Sequence, residues 1–354
     1  MAELNIYYHL SSYISHKKAG LAYKSCIQNL SRLVRGGDFS FTLVDNPKLA
    51  NLAIIHDEPN NIPHILKQYP PLKKIPKIVY GVWETDILPQ AFIAGLESCI
   101  EVWTCSKFSQ KAFLQSGKEC FVIPHLVKRT PPTPEALAKI KQLLFSQGVS
   151  SDSFLFFSIV DIINPRKNTT ALLKAFCSQT KKWGNKVKLV LKQYRQIQDL
   201  SSFPNIISIS DELSEEEISA LHNLTHCYVS PHCSEAWGLG LSEAMSFAKP
   251  VIATNYSGNL EFMNPDNSIL VDYELENIPL EMCRLLPLFT PKMHWAKINV
   301  DELAVKMNMV CSNAMAMLPA KENISNITKL FSQETIGVLI FSRLKAVCEK
   351  YKLG

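Results

Sequence analysis

The stretch "CYVSPHCSEAWGLGLSEAMSFAKPVIAT" (227–254) contains the structural unit that decides the fold. An apolar run, CYVSP, is followed by a loop with two glycines, a helical pattern, GLSEAMSFA, and a second apolar run, KPVIAT. Because neither run alternates apolar with polar residues, both are typical of parallel strands that are buried on their two faces. The stretch therefore predicts a strand–helix–strand unit of a parallel sheet.

The same alternation extends in both directions along the chain. Six apolar runs precede a proline-rich linker at 128–148, and a second alternating set follows it from 154 to about 273. The early runs, which we interpret as buried strands, are 4–10, 39–45, 51–57, 76–83, 101–106 and 120–125. A chain of 354 residues is also too long for one ordinary core. The pattern predicts an α/β protein with two tandem Rossmann-like, doubly wound domains and a ligand cleft between them.

The domain boundaries follow from the linker. We expect an N-terminal, acceptor-binding domain at 1–140 and a C-terminal, donor-binding domain at 141–329. A helical pattern at about 330–354 has no strand of its own, and we predict that it packs back on the first domain.

Composition narrows the class of partners. The net charge of +5 is mild for this length, which argues against a dedicated nucleic-acid binder and favours a phosphorylated ligand or a membrane surface. The ten cysteines show no Cys-x-x-Cys spacing, as expected of reduced thiols. Since no signal-peptide pattern and no stretch of about 20 apolar residues is present, we expect a cytoplasmic protein. Peripheral contact with a membrane remains an alternative.

The loop inside 227–254 has an unusual combination of charges and glycines. Gly238 and Gly240 allow a close backbone approach, and the helix that starts there directs N–H groups towards an anion. Glu235 and Glu243 would repel a phosphate at the same spot, but each carboxylate can accept hydrogen bonds from hydroxyl groups. A nucleotide sugar satisfies both demands. The spacing matches neither Gly-x-Gly-x-x-Gly nor a phosphate-binding loop ending in Gly-Lys-Ser/Thr, which weakens dinucleotide and ATP interpretations.

A basic pair is predicted at the same edge of the second sheet. In "DIINPRKNTT" (161–170), Arg166 and Lys167 lie between the end of a strand and the start of a helix. Cations at a helix N-terminus oppose the helix dipole, so an anionic ligand would explain them. They would stabilise a departing diphosphate, and Lys192, at the end of the next strand, is a third candidate. The alternative is a solvated helix start.

Four segments together resemble glycosyltransferase family 4, whose members are retaining nucleotide-sugar transferases of the two-Rossmann-domain, GT-B type. They are "SEAWGLGLSEAMSFAKPVIATNYSGNLEFM" (234–263), "PRKNTTALLKAF" (165–176), "VYGVWETDILP" (79–89) and "VIPHLV" (122–127). The resemblance implies a nucleotide-diphosphate sugar as donor substrate, no cofactor and no required metal. It implies an acceptor hydroxyl on a glycan, a lipid-linked glycan or a protein.

The resemblance also assigns residues. It implies that Glu235 holds the hydroxyls of the donor sugar, that Glu243 binds the ribose, and that Arg166 and Lys167 bind the diphosphate. The loop amides that would assist are those of Gly238, Leu239, Gly240 and Leu241.

This sequence departs from the family pattern in several places. The arginine that many members carry near Ile159 is absent, and Arg166 or Lys192 would have to substitute for it. Residues near the ends of first-domain strands leave a ligand contact and a structural role both open: Trp83, Glu84, Thr85 and His125. A zinc cluster of His222, His226, Cys227, His232 and Cys233 is disfavoured, because Cys227 falls in a predicted buried strand.

Two other functions remain open at this point. One is a nucleotide-sugar epimerase on the same scaffold. The other is a catalytically silent partner protein of a glycosyltransferase.

Overall fold

The computed structural model describes residues 2–33, 39–312 and 320–353. The chain divides into two compact units, the first formed by 1–126 with 329–354 and the second by 127–328. The boundary expected at residue 140 therefore lies at 126, since the helix Pro134–Ser146 packs against the helix Glu215–Leu224 of the second unit.

In the described part of the chain, the strands are β1 (Ala2–Leu10), β2 (Phe39–Leu43), β3 (Leu52–His56), β4 (Lys77–Tyr80), β5 (Glu101–Thr104), β6 (Cys120–Val122), β7 (Phe154–Val160), β8 (Val187–Gln193), β9 (Ile206–Ile209), β10 (Cys227–Ser230), β11 (Val251–Thr254), β12 (Ile269–Val271), β13 (Tyr273–Asn277) and β14 (His294–Ile298). The α-helices there are α1 (Ile14–Leu33), α2 (Ile62–Gln68), α3 (Gln90–Leu96), α4 (Lys107–Phe113), α5 (Pro134–Ser146), α6 (Thr169–Trp183), α7 (Glu215–Leu224), α8 (Leu239–Ser246), α9 (Leu280–Leu285), α10 (Val300–Cys311), α11 (Lys321–Ser325), α12 (Ile327–Leu330) and α13 (Gln333–Tyr351).

The first unit is built on a six-stranded parallel sheet in the order β2-β1-β3-β4-β5-β6. Its central strands are buried along their whole length, as their continuous apolar runs require. Each of the six runs interpreted as strands of the first domain overlaps one strand of this sheet.

Helix α13 belongs to this first unit. It packs against α1, and its Arg343 forms an ion pair with Glu101, a residue of β5 that is 0% exposed. The guanidinium also lies 3.4 Å from the ring centroid of Phe121. The side chain of Ser332 accepts a hydrogen bond from the Thr335 N–H, which starts α13 as a new helix rather than a continuation of the preceding one.

The second unit contains another six-stranded parallel sheet, in the order β12-β11-β10-β7-β8-β9. Successive strands run from β7 to β9 in one direction and from β10 to β12 in the other. The order therefore reverses between β7 and β10, and a ligand of such a sheet binds at the carboxyl ends of the strands beside this switch point. Helices α6 and α10 pack together on one face, where they cover a core that includes Phe156 and Leu189.

Sequence analysis did not predict the antiparallel pair β13–β14 of this unit, nor the helices α9 and α10. Residues 273–277 are mostly exposed, so they lack the apolar run by which the buried strands were recognised.

Two further observations concern the described residues. None of their helices is both long and apolar enough to cross a membrane. The ten cysteines are all free thiols, and most of them are buried.

Candidate active site

The site is formed where β7 and β10, which are hydrogen-bonded neighbours, both end. A short 3₁₀ turn, Pro165–Lys167, follows β7, and a loop at 231–238 follows β10. Because parallel strands end at the same edge of a sheet, two segments more than 60 residues apart in sequence meet there.

Hydrogen bonds hold the turn and the loop together. The turn is closed by the Asn164 side chain, which accepts from the Arg166 N–H at 3.2 Å. Across to the loop, the Cys233 N–H donates to the Arg166 carbonyl at 2.8 Å, and the Asn168 side chain donates to the Pro231 carbonyl at 2.9 Å. Since Asn168 has φ +53°, a conformation that asparagine tolerates, helix α6 can begin directly after the turn.

Both predicted cations contact the first predicted carboxylate. Arg166 Nη1 lies 3.0 Å from Glu235 Oε2 and donates to the Ser234 carbonyl at 2.6 Å, while Lys167 Nζ contacts Glu235 Oε1. The side chains of Arg166 and Glu235 are only 9% and 10% exposed. Burial by itself would raise the pKa of Glu235, but the charges of Lys167 and Arg166 outweigh it and hold this pKa well below the ordinary value. The structure thus joins the three residues, which sequence analysis assigned to two parts of the ligand, into one ion network.

The backbone at Glu235 is fixed from a third segment, to which sequence analysis gave no role. The Glu235 N–H donates to Ser257 Oγ at 2.8 Å, and the Gly258 N–H donates to the Glu235 carbonyl at 2.8 Å. Residues 257–258 follow β11, the strand next to β10. The only sequence signal was the Ser-Gly-Asn turn in "NYSGN", which by itself predicts a turn and not a contact.

Glycine is required at positions 238 and 240 for two different structural reasons. Gly238 has φ +91° and is the residue that precedes α8, so a side chain there would be strained. A Cβ atom on Gly240 would lie 2.3 Å from the Tyr228 hydroxyl oxygen, so this glycine is needed irrespective of any ligand.

Not all of the predicted loop amides are equivalent. The Leu241 N–H donates to the Gly238 carbonyl at 3.1 Å, inside the helix itself. The N–H groups of Leu239 and Gly240, which come before the first intrahelical donor, are better suited to an anion than that of Leu241.

Glu243 lies on α8, outside the ion network. Its carboxylate is 3.7 Å from Nε2 of the buried His222, and 26% of its side chain is exposed. Burial raises the pKa of the Tyr228 hydroxyl, a hydrogen bond from the Ile159 N–H lowers it, and the charges of Glu243 and Glu235 add to the rise. The two glutamates therefore have distinct surroundings around a shared neighbour.

The structure gives Lys192 different partners from those of the basic pair. Its ammonium group donates to the Gln193 carbonyl. Burial lowers its pKa, which the carboxylates of Asp211 and Glu212 partly restore, so the charge of Lys192 is directed towards the segment after β9.

The histidines and cysteines of the disfavoured zinc cluster do not converge on a common point. His232 is fully buried, with Nδ1 3.1 Å from Ser230 Oγ and Nε2 3.1 Å from Asn259 Oδ1. Within the ranges that the structure describes, no group of three or more histidine, cysteine or acidic side chains is arranged to hold a metal ion.

The first-unit candidates are packed into their own domain. Trp83 Nε1 donates to Thr85 Oγ1 at 2.7 Å, and both side chains are buried. His125 is buried beside Tyr80, at 3.4 Å from its hydroxyl, and burial lowers its pKa to about 3. These contacts favour the structural alternative for Trp83, Thr85 and His125.

Comparison with known proteins identifies one region of the chain by sequence. Residues 141–276, all in the second unit, match the family model described as "Glycosyl transferases group 1". No curated protein sequence matches the chain.

Solved structures resemble the chain over nearly its whole length. Anabaena HepE, in complex with UDP and glucose, has a TM-score of 0.65 at 15% identity, covering 97% of this chain and 99% of that one. The UDP-forming α,α-trehalose-phosphate synthase of Burkholderia vietnamiensis has a TM-score of 0.58 at 10% identity, with coverages of 97% and 80%. A variant of S. aureus TarM, in complex with fondaparinux, α-GlcNAc-glycerol and UDP, has a TM-score of 0.57 at 15% identity, with coverages of 89% and 57%. At such identities the likeness shows the fold, and the predicted pair of Rossmann-like domains of GT-B type is confirmed.

Proposed function

We propose that this protein is a retaining glycosyltransferase, which moves a sugar from a nucleoside-diphosphate donor to an acceptor hydroxyl. The observation that carries the proposal is the Glu235–Arg166–Lys167 network at the switch point of the second sheet. It lies inside the region that matches the glycosyltransferase model. An ion network of this kind places hydroxyl-binding and diphosphate-binding groups side by side, as a nucleotide sugar requires.

The state of Glu235 defines its proposed task. Because its pKa is held low, the carboxylate stays ionised at neutral pH and accepts hydrogen bonds, but it cannot deliver a proton. It would hold the sugar hydroxyls and stabilise positive charge that develops on the reacting carbon. A carboxylate that already binds two cations is also a poor nucleophile, so we propose no covalent intermediate. The departing phosphate would take the proton of the acceptor hydroxyl on the same face of the sugar.

The other site residues are assigned to the part of the donor that each would bind. Arg166 and Lys167 would bind the diphosphate with the N–H groups at the start of α8, and Glu243 would bind the ribose. Lys192 would contribute through the electrostatic field rather than by contact. No metal is required in this proposal, since two cations supply the positive charge near the leaving group. The acceptor would be a glycan, a lipid-linked glycan or a protein, reached in the cytoplasm or at a membrane surface.

UDP is the first nucleotide to test. UDP is bound in the HepE and TarM complexes, and the trehalose-phosphate synthase is named as UDP-forming. A thermal-shift screen covers UDP, GDP, ADP and TDP and their hexose derivatives. One nucleotide should raise the melting temperature of the protein more than the others, since a ligand that binds only the folded state stabilises it.

The selected sugar nucleotide is then incubated with candidate acceptors, with and without EDTA. Release of the nucleoside diphosphate and an NMR spectrum of a product with the donor's anomeric configuration are expected. Conversion to another nucleotide sugar without acceptor would indicate an epimerase. Absence of binding and release with every donor would overturn the proposal in favour of a silent partner protein.

A further inference from the structure

A second ion pair lies at the same edge of the second sheet. Asp161, the first residue after β7, is 2% exposed, and its Oδ2 is 3.0 Å from Arg195 Nη1. Its other carboxylate oxygen, Oδ1, is buried without a hydrogen-bond partner. Arg195 follows β8, the neighbouring strand of the sheet.

A buried carboxylate at this edge demands an explanation. An unpaired acid here would carry a large desolvation cost and would repel any anionic ligand. Its pairing with Arg195 compensates the negative charge, although the Oδ1 atom stays buried without a hydrogen bond. A guanidinium has five N–H donors in a planar fork, and the contact of Arg195 Nη1 with Asp161 uses one nitrogen of that fork.

The backbone directs Arg195 to this place. Strand pairing continues past β8, since the Tyr194 N–H donates to the Val160 carbonyl at 3.2 Å. Arg195 then adopts φ +67°, a conformation that residues other than glycine rarely take. Residues in such conformations cluster at functional sites, and here the side chain reaches Asp161 at the end of β7.

Arg195 differs from Arg166 and Lys167 in the exposed fraction of its side chain. The side chains of Arg166 and Lys167 are 9% and 20% exposed, and both are bound to Glu235. The side chain of Arg195 is 48% exposed. Of these three cations, Arg195 is therefore the one most accessible from solvent.

We propose that Arg195, held in position by Asp161, is a diphosphate-binding residue of the donor site. The inference rests on the proposed function, since it presumes a nucleoside-diphosphate ligand at this edge. It adds a cation that follows β8, the strand for which sequence analysis named Lys192, and it gives Asp161 the role of a positioning residue.

The test compares UDP with uridine, which has no phosphate; if the screen selects GDP, ADP or TDP, that nucleotide and its nucleoside replace them. Calorimetry should show that Arg195→Gln weakens UDP binding about 10- to 100-fold, the size expected for hydrogen bonds to a charged group, and leaves uridine binding unchanged. Arg195→Lys keeps the positive charge but lacks the planar set of N–H donors, so its UDP affinity should lie between those of the wild type and Arg195→Gln. Arg284→Gln, at an exposed arginine on α9 of the same unit, is the matched control and should retain wild-type affinity.

Asp161→Asn separates positioning from simple charge. If Asp161 orients Arg195, Asp161→Asn lowers UDP affinity in the wild-type background but not in the Arg195→Gln background, a non-additive double-mutant cycle. Additive effects, or tighter UDP binding in both backgrounds, would contradict the positioning role. Melting temperatures of all variants establish that they are folded.

Two outcomes overturn different claims. Wild-type UDP affinity in Arg195→Gln, or equal losses for UDP and uridine, would overturn this inference and leave the proposed function intact. A wild-type protein that binds no nucleoside diphosphate and releases none would overturn the proposed function, and this inference with it.

Discussion

Replacement of Glu235 by glutamine tests the central ion network most directly. The change keeps the size of the side chain but removes the negative charge that Arg166 and Lys167 share. We expect the transfer rate to fall about 10²- to 10³-fold, as when one preorganised electrostatic group is removed from an active site. UDP affinity should stay equal or increase, because two cations are released to the diphosphate.

The structure also sets the expected loss of stability. Breaking a buried ion pair by removing one partner costs about 3–5 kcal/mol, since the remaining charge is left uncompensated. Arg166 is buried in this way, whereas Lys167, at 20% exposure, recovers part of its hydration. We therefore expect about 3 kcal/mol, which lowers the melting temperature of a unit of this size by roughly 6–12 °C.

Calorimetric UDP affinity and single-turnover transfer rates are measured on the same preparation. Glu302→Gln is the matched control, because Glu302 pairs with Lys306 on the partly exposed surface of α10 and should change neither quantity. A parallel loss of UDP affinity and transfer rate would refute the assignment, since Glu235 would then bind the nucleotide and not the sugar.

Acidification provides a second readout of the same carboxylate. The pKa of Glu235 is lower in the folded state than its unfolded value of about 4.3, so its contribution to stability is complete above that pH and is lost as the pH falls below it. Between pH 5 and 3 the wild type should lose melting temperature more steeply than Glu235→Gln, which has no titrating group there. Superimposable profiles would contradict the lowered pKa.

Glu243→Gln should weaken UDP binding about 10-fold or more by calorimetry, because a charged hydrogen-bond acceptor to the ribose is lost, and unchanged affinity would remove Glu243 from the nucleotide site. Lys167→Ala should lower single-turnover rate more than UDP affinity, since its charge is needed most as the leaving group develops; an equal fall in both would indicate ground-state binding. Gly240→Ala should lower the melting temperature by its clash with the Tyr228 hydroxyl, and Tyr228→Phe in the same chain should restore part of it. If that second change brings no recovery, the clash is not the reason for the glycine.

Much of the fold was predictable because buried parallel strands leave a strong signal. The runs around β3 and β7, for example, are apolar throughout, and turn residues separate them from helices. Residues that directly follow such strands must lie at one edge of a sheet, which is why Glu235 and Arg166 could be placed together without a structure.

The structural features that were not predicted depend on the order of the strands in the sheet and on the direction of individual side chains. Lys192 and Arg195 are three residues apart near the end of β8, and of the two it is Arg195 that contacts Asp161 at the end of β7. Arg195 has a positive φ, which its residue type does not predict. Similarly, Ser257 supports Glu235 only because β11 lies beside β10. The boundary between the units lies at 126 and not at the expected 140, because α5 packs against α7 of the second unit. This tertiary contact outweighs the proline-rich linker pattern in the sequence.

The discontinuity of the first unit has a consequence for synthesis on the ribosome. The second unit is one continuous segment, 127–328, and can fold as soon as it has emerged. The first unit cannot be completed when its sheet is made, since α13 emerges more than 200 residues after β6. Until then Glu101, fully buried in the finished protein, has no Arg343 to neutralise it. Nascent chains that lack residues 333–351 should therefore expose a first unit that chaperones recognise and proteases cut, while the second unit is already resistant.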